Sequence, residues 1–199
     1  MAPLNEEQLQ QIRDERKEQI MEAALKVFAR RGIIGTKMSM IASEAGISAG
    51  LLYRYFHSKD ELFTTLVQQA IDESIAGIKS IYHLPGSPLD KIKALTAEIL
   101  NEGSQLHFML MHHARTSDEV PKDAKKLVEE NTMKTYIDIL EPLFIEGQKK
   151  GELADDHPSE LISCYLSLLS GLMTLNIQED ENYQMPKVDL LLRFIVRTS

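Results

Sequence analysis

The sequence predicts an all-α fold, on three observations. Apolar residues recur at i, i+3, i+4 and i+7 through most of the chain, the spacing of one helix face. The stretches that carry this pattern are separated by glycines, prolines and short polar residues of the kinds that end and begin helices. No segment alternates apolar and polar residues as a half-buried strand would, and there is no internal repeat or low-complexity tract.

Taken in order, Glu6–Arg31 reads as a long amphipathic helix with Ile12, Ile20, Ala23, Ala24, Val27 and Phe28 on or near one stripe. Arg30 and Arg31 fill its last turn, where cations suit the helix dipole, and Gly32 ends it. Gly35 and Thr36 link to a second helix, Met38–Ala45, with Thr36 or Ser39 as its cap and Met38, Ile41, Ala42 and Ala45 facing inward. Gly46 stops that helix, Ile47 enters the core, and Ser48 caps a third helix that buries Leu52 and Phe56. Ser58–Lys59–Asp60–Glu61 reads as a capping box. It opens a fourth helix through Leu62, Phe63, Leu66, Ala70, Ile71, Ile75 and Ile78 to about Tyr82.

The cluster His83–Pro88 breaks the chain. Beyond it helices are expected at Leu89–Asn101, Ser104–Thr116 and Lys122–Lys150, the last bent by Pro142. Gly151 and the run Asp155–Pro158 close that element. Ser159–Asn176 is strongly apolar and interrupted by Ser163, Ser167, Ser170 and Gly171, and Pro186 opens a final helix, Lys187–Arg197.

With 199 residues, 43% of them hydrophobic, the chain can bury one or two cores. It has no apolar run long enough for a membrane span. Its first residues are polar and charged, unlike a secretory signal, and its single cysteine rules out an internal disulfide, so a cytoplasmic location is expected. Cys164 lies in an apolar run and reads as a small core residue rather than a redox sensor. The net charge of −8 argues against nucleic acid at first sight, but its distribution argues for it. Arg13–Lys59 holds nine Lys/Arg against five Asp/Glu, whereas the chain from Asp60 onward holds thirteen against twenty-three. A basic head on an acidic body is the asymmetry of a DNA-binding protein, and the modest excess calls for two heads per complex.

The stretch Met38–Phe56 gives that asymmetry a geometry. Its second helix leaves Ser48, Ala49, Gly50, Tyr53, Arg54 and Tyr55 on its outer sides. A small-residue start followed by aromatic and basic side chains suits a helix whose N-terminal end enters the major groove and whose C-terminal end grips phosphates. The spacing alone also fits an ordinary helical hairpin.

Three blocks of residues then stand at related spacings: Ile20, Ala23, Ala24, Val27, Phe28, Arg31 and Gly32; Ile41, Ala42, Ala45, Gly46, Ile47 and Ser48; and Gly50, Tyr53, Tyr55, Phe56, Lys59 and Leu62. In this combination the chain resembles the tetracycline-repressor (TetR) family of bacterial transcription regulators over roughly Arg16–Glu73. The resemblance implies about nine helices, with a three-helix DNA-binding head containing a helix-turn-helix over residues 1–60. Residues 61–199 would form a helical body for ligand binding and dimerisation. It implies a homodimer on a palindromic double-stranded DNA operator, acting as a repressor and released by a small apolar or amphipathic effector. Ser39, Ser48, Gly50, Tyr53 and Tyr55 match family positions that touch DNA, and Lys59 matches a phosphate contact. Ala49 stands where the family very often has lysine, so the half-site preference does not carry over; Arg54 either reaches phosphate or stays solvated. A helical adaptor that uses the same fold to bind a protein is the alternative.

For the body, a ligand cavity lined by His107, Phe108, Met111, Tyr136 and Leu140 is expected, methionines being adaptable pocket liners. His107, His112 and His113 are separated by five, six and one residues, which scatters their rings rather than stacking them at i, i+4, so no metal site is predicted. The small residues of 159–176, with the amphipathic 187–197, fit half of a four-helix dimer interface. Carboxylates such as Asp118–Glu119 and Asp155–Asp156 pair with no nucleophile and there is no phosphate loop, so neither catalytic residues nor a cofactor are expected.

Overall fold

The computed structural model describes residues 5–175 and 184–197, and the backbone alone at Glu102. Among these residues the fold is helical throughout: α1 Glu6–Arg31, α2 Met38–Glu44, α3 Ala49–Tyr55, α4 Lys59–Ser80, α5 Pro88–Ile99, α6 Glu102–Thr116, α7 Lys122–Glu130, α8 Met133–Lys149 and α9 Pro158–Thr174. A 3-10 turn, Ile81–His83, follows α4, and a single helical turn, α10, spans Val188–Leu191. The all-α expectation therefore holds, and the one isolated bridge, Leu153 with Val196, belongs to no strand.

The chain gathers into two compact units. The first takes the chain up to Gln69 together with Met109–Leu127; the second takes Ala70–Phe108 and the chain from Val128 onward. In the first unit α1 packs on α2 and α2 on α3. Ile20, Ala24 and Phe28 of α1, Ile41 of α2, Leu52 of α3 and Leu62 and Phe63 of α4 are fully buried or nearly so. Phe28 and Phe63 meet edge to face with ring centroids 5.0 Å apart, a geometry that adds about 1 kcal/mol to what their buried area gives. From α6 the His113 ring lies over Gly32, and its Nε2 meets the Ala29 carbonyl at 3.1 Å, at the end of α1 where helix carbonyls lack partners.

In the second unit Ile92 and Leu95 of α5, Leu140 and Phe144 of α8, and Ile162, Tyr165 and Leu169 of α9 share one apolar core. Ser87 and Asp90 form a reciprocal box at the start of α5, and the hydrogen bonds from Ser87 hold the Asp90 carboxyl below the usual carboxylate range. Gly147 lies so close to Leu153 that an added Cβ would sit 2.7 Å from its side chain.

Several local expectations are corrected. Ile12 is 46% exposed, because α1 meets other helices only from Ile20 onward. Neither Thr36 nor Ser39 caps α2: Lys37 holds that position, the buried Thr36 hydroxyl donates back to the Gly32 carbonyl at 2.6 Å, and Ser39 is exposed within the first turn. Ile47 is only half-buried. Ser58 does cap α4, accepting the Glu61 N–H at 3.0 Å, but the Glu61 carboxylate accepts from His57, one residue before the cap, so the box is not reciprocal. The expected helix Lys122–Lys150 is two helices broken at Asn131 and Thr132, where Thr132 is extended, while Pro142 sits inside α8. Lys187–Arg197 is helical for a single turn only. Its second half instead pairs with 152–154, through Ala154 N–H to Ile195 O and Arg197 N–H to Glu152 O, and buries Leu192 and Ile195. Cys164 is exposed on α9 rather than a core residue, since the inner side of that helix is taken by Leu161, Ile162, Tyr165 and Leu169. Asn176 lies outside the described residues.

The most buried polar contact of the second unit gives a stability test. Thr96 donates its single hydroxyl proton to Ile92 O at 2.7 Å, so in the 2.9 Å contact with Tyr165 the tyrosine is the donor. Burial raises the Tyr165 pKa, which keeps that proton in place. Tyr165→Phe should cost about 1 kcal/mol in urea unfolding, with little change in slope.

Candidate nucleic-acid interface

The α2–α3 corner is built by backbone hydrogen bonds around a single glycine. Ala45 ends α2 in right-handed geometry and Gly46 follows at φ +63°. The Ile47 N–H then bonds to Ala42 O at 2.9 Å and the Gly46 N–H to Ser43 O at 3.1 Å. These are the two bonds of a Schellman motif, and its left-handed position is the one glycine fills without steric cost. Ser48, extended at φ −72°, ψ 149°, caps α3 by accepting the Leu51 N–H. Its hydroxyl proton stays free to donate.

Leu52 and Phe56 anchor α3 and are almost completely buried. Ala49, Gly50, Tyr53 and Arg54 are exposed, Tyr53 to 49%, and Tyr55 is half-buried. Ser48 is exposed at the same end of the helix, and Ser39 is exposed on α2. A Cβ added at Gly50 would meet nothing within 4 Å, so the protein itself does not require glycine there. Lys59 is half-buried at the first position of α4, and its ammonium donates to Ile33 O at 2.7 Å. That bond leaves two of its three N–H groups unused. The helix-turn-helix thus presents hydroxyl, guanidinium and ammonium donors together with open backbone, which suits polyanion contact and close approach to base edges.

Residues 20–66 match the model of the tetR family of bacterial regulatory proteins. The transcriptional regulator RutR of Escherichia coli (strain K12) is 30% identical over 155 residues, covering 74% of this chain and 68% of RutR. The chain belongs to the TetR family. It is a DNA-binding transcriptional regulator. YfiR of Bacillus subtilis (strain 168), an uncharacterized regulator of the helix-turn-helix type, is 24% identical over 85% of this chain and 83% of its own length. A transcriptional regulator from Saccharomonospora viridis, solved in complex with choline, has the same fold at 19% identity, with a TM-score of 0.72 over 93% of this chain and all of that one.

The body residues singled out for this TetR-family chain lie in several settings. Leu140 is fully buried in the core of the second unit. Tyr136 is half-buried, with its hydroxyl 3.2 Å from that of Ser74. His107 is half-buried with Nε2 3.6 Å from a Glu73 carboxylate oxygen, and Phe108 is half-buried beside it on α6. Met111 belongs to the first unit. His112 is exposed and His113 turns to α1, and no group of three metal-ligating side chains occurs among the described residues. A cleft of about 520 Å³ in the first unit shares none of the expected cavity residues. Its lining includes Ser58, Asp60, Glu61, Thr64, Lys122 and Asp123, a charged wall unsuited to an apolar effector.

The two glycines of the corner give opposite expectations. Gly46→Ala should lower stability by about 1 kcal/mol through its left-handed conformation. Gly50→Ala should leave stability unchanged or raise it by up to about 1 kcal/mol through helix propensity, while weakening retention on DNA. Denaturant melts and duplex titration of both variants check this.

Proposed function

We propose that this TetR-family regulator is a ligand-responsive repressor that binds a palindromic operator as a homodimer. The supporting observation is the outer side of α3, where Ser48, Ala49, Gly50, Tyr53 and Arg54 stand exposed on a helix whose opposite side is locked by Leu52 and Phe56. In this reading α3 enters the major groove by its N-terminal end. Tyr53, Tyr55, Arg54 and Lys59 contact phosphates, Ser39 and Ser48 add hydroxyl contacts, and Ala49 and Gly50 admit the backbone to base edges.

The dimer would form through 159–176 and 187–197. On α9 Cys164, Ser167, Leu168 and Gly171 are exposed, and Leu190 and Phe194 stand exposed further on, a mixture of small and apolar surface that suits close helix packing. A small apolar or amphipathic molecule would bind in the body near His107, Phe108, Met111, Tyr136 and Leu140. The choline held by the Saccharomonospora viridis protein, which has the same fold, supports a small-molecule role for such a body. Helices α4, α6 and α7 each begin in one compact unit and end in the other, so a displacement at one end of a helix moves residues of both. An effector releases DNA only by binding the non-DNA conformation more tightly. In functional terms residues 1–60 would read DNA and residues 61–199 would bind effector and partner.

Selection of bound sequences from a random duplex pool at two salt concentrations tests this reading. A recovered palindrome, bound less tightly as salt rises, is the expected result. Failure of the pool to enrich even at low salt would point instead to an adaptor that binds protein. Replacing Tyr53 and Lys59 together should weaken binding to every sequence, and full retention by that double variant would remove them from the interface. Sedimentation as a monomer at micromolar concentration would defeat the dimer.

A further inference from the structure

Helix α1 is longer than the head it serves. The family match starts at residue 20, and Ile20 is also the first buried residue of α1. The preceding segment, residues 6–19, is helical and exposed along its whole length except at half-buried Arg16. A helix this short is marginal alone. Its order comes from continuity with α1, the Asn5–Gln8 capping box, and amide bonds from Gln10 to Asp14 and from Gln11 to Glu15.

Charge is segregated on this arm. Arg13, Arg16 and Lys17 stand at i, i+3 and i+4 and so share one side of the helix. They continue the buried stripe of Ile20 and Ala24, whereas Asp14, Glu15 and Glu18 fall on the opposite side. Two of those carboxylates are taken up by the glutamine amides, and none of the three cations is ion-paired among the described residues. Arg16 is also positioned. Its Nη1 donates to Gln19 Oε1 at 2.7 Å, and Gln19 Nε2 donates to Ala45 O at 2.7 Å. This relay fixes the guanidinium beside the turn that leads into α3, with four N–H groups still available.

We propose that the arm is a second DNA contact, in which Arg16, assisted by Arg13 and Lys17, binds backbone phosphates flanking the bases read by α3. The inference rests on the DNA-binding reading above. The occupant follows from charge, an unpaired cationic stripe facing a polyanion, and from continuity, since the relay joins the stripe to the helix-turn-helix. Phosphate contacts of this kind carry affinity and register but no base preference.

The test titrates the full-length protein with a fluorescent mixed-sequence duplex over a salt series. Arg13→Gln, Arg16→Gln and Lys17→Gln combined should reduce the slope of log K against log salt by about two to three. The sequence preference recovered from a random pool should not change. Gln19→Ala, which keeps all three charges, should give a smaller loss by freeing Arg16. Glutamine suits an exposed helix, and circular dichroism verifies that helicity is retained. A wild-type slope in the triple variant, with wild-type protein binding DNA, overturns the arm contact and leaves the DNA-binding reading intact. Absence of salt-sensitive binding by the wild type overturns both. A change in sedimentation of the triple variant with no change in slope would show that the stripe, with exposed Leu9 and Ile12, meets protein instead, and likewise overturns the proposal.

Discussion

A seven-residue helix cannot hold its own shape in water, and the DNA-reading end of this protein depends on that constraint. Helix α3 exists because Leu52 and Phe56 are buried against the head and because the corner at Gly46 fixes the direction in which the chain leaves α2. Everything exposed on α3 is oriented by those few apolar and backbone contacts. The polar side chains that would meet DNA are thus free of structural duties, apart from the Ser48 oxygen that caps the helix.

The loops around that corner are tied down by side chains reaching back to carbonyls. Thr36 bonds to Gly32, Lys59 to Ile33, Gln19 to Ala45, and His113 meets Ala29. Each satisfies a carbonyl at a helix end or in a link, where the regular helical ladder provides no donor. Three of these side chains are long and polar and would otherwise be read as surface. They make the head a set of helices with fixed mutual positions, which a reader of groove geometry requires.

The second unit is organised differently. Its core is apolar and continuous from α5 through α8 to α9, with one buried polar pair, Thr96 and Tyr165, set within it. The end of the chain is held by backbone pairing with 152–154 and by the exposed Lys93–Asp189 pair at 2.9 Å, an arrangement of small individual energies. Apolar side chains remain exposed on α9 and after it, at Leu168, Leu175, Leu190 and Phe194.

The sequence by itself determined the helical class, the ends of α1, the corner at Gly46, the caps at Ser48 and Ser58, and the inward set Ile41, Leu52, Phe56 and Leu62. These are local matters: periodicity, a left-handed position, and an oxygen placed to meet a free N–H. Tertiary structure decided the rest. It assigned Lys37 rather than Thr36 or Ser39 to the start of α2, because Thr36 had a carbonyl of α1 within reach. It split α7 from α8 and turned the end of the chain back onto 152–154. It exposed Ile12 and Cys164, whose neighbours in sequence look equally apolar, since burial depends on which elements lie alongside. Contacts such as Arg16–Gln19–Ala45 join residues whose pairing has no local signature, and only the packing of α1 beside the corner brings them together.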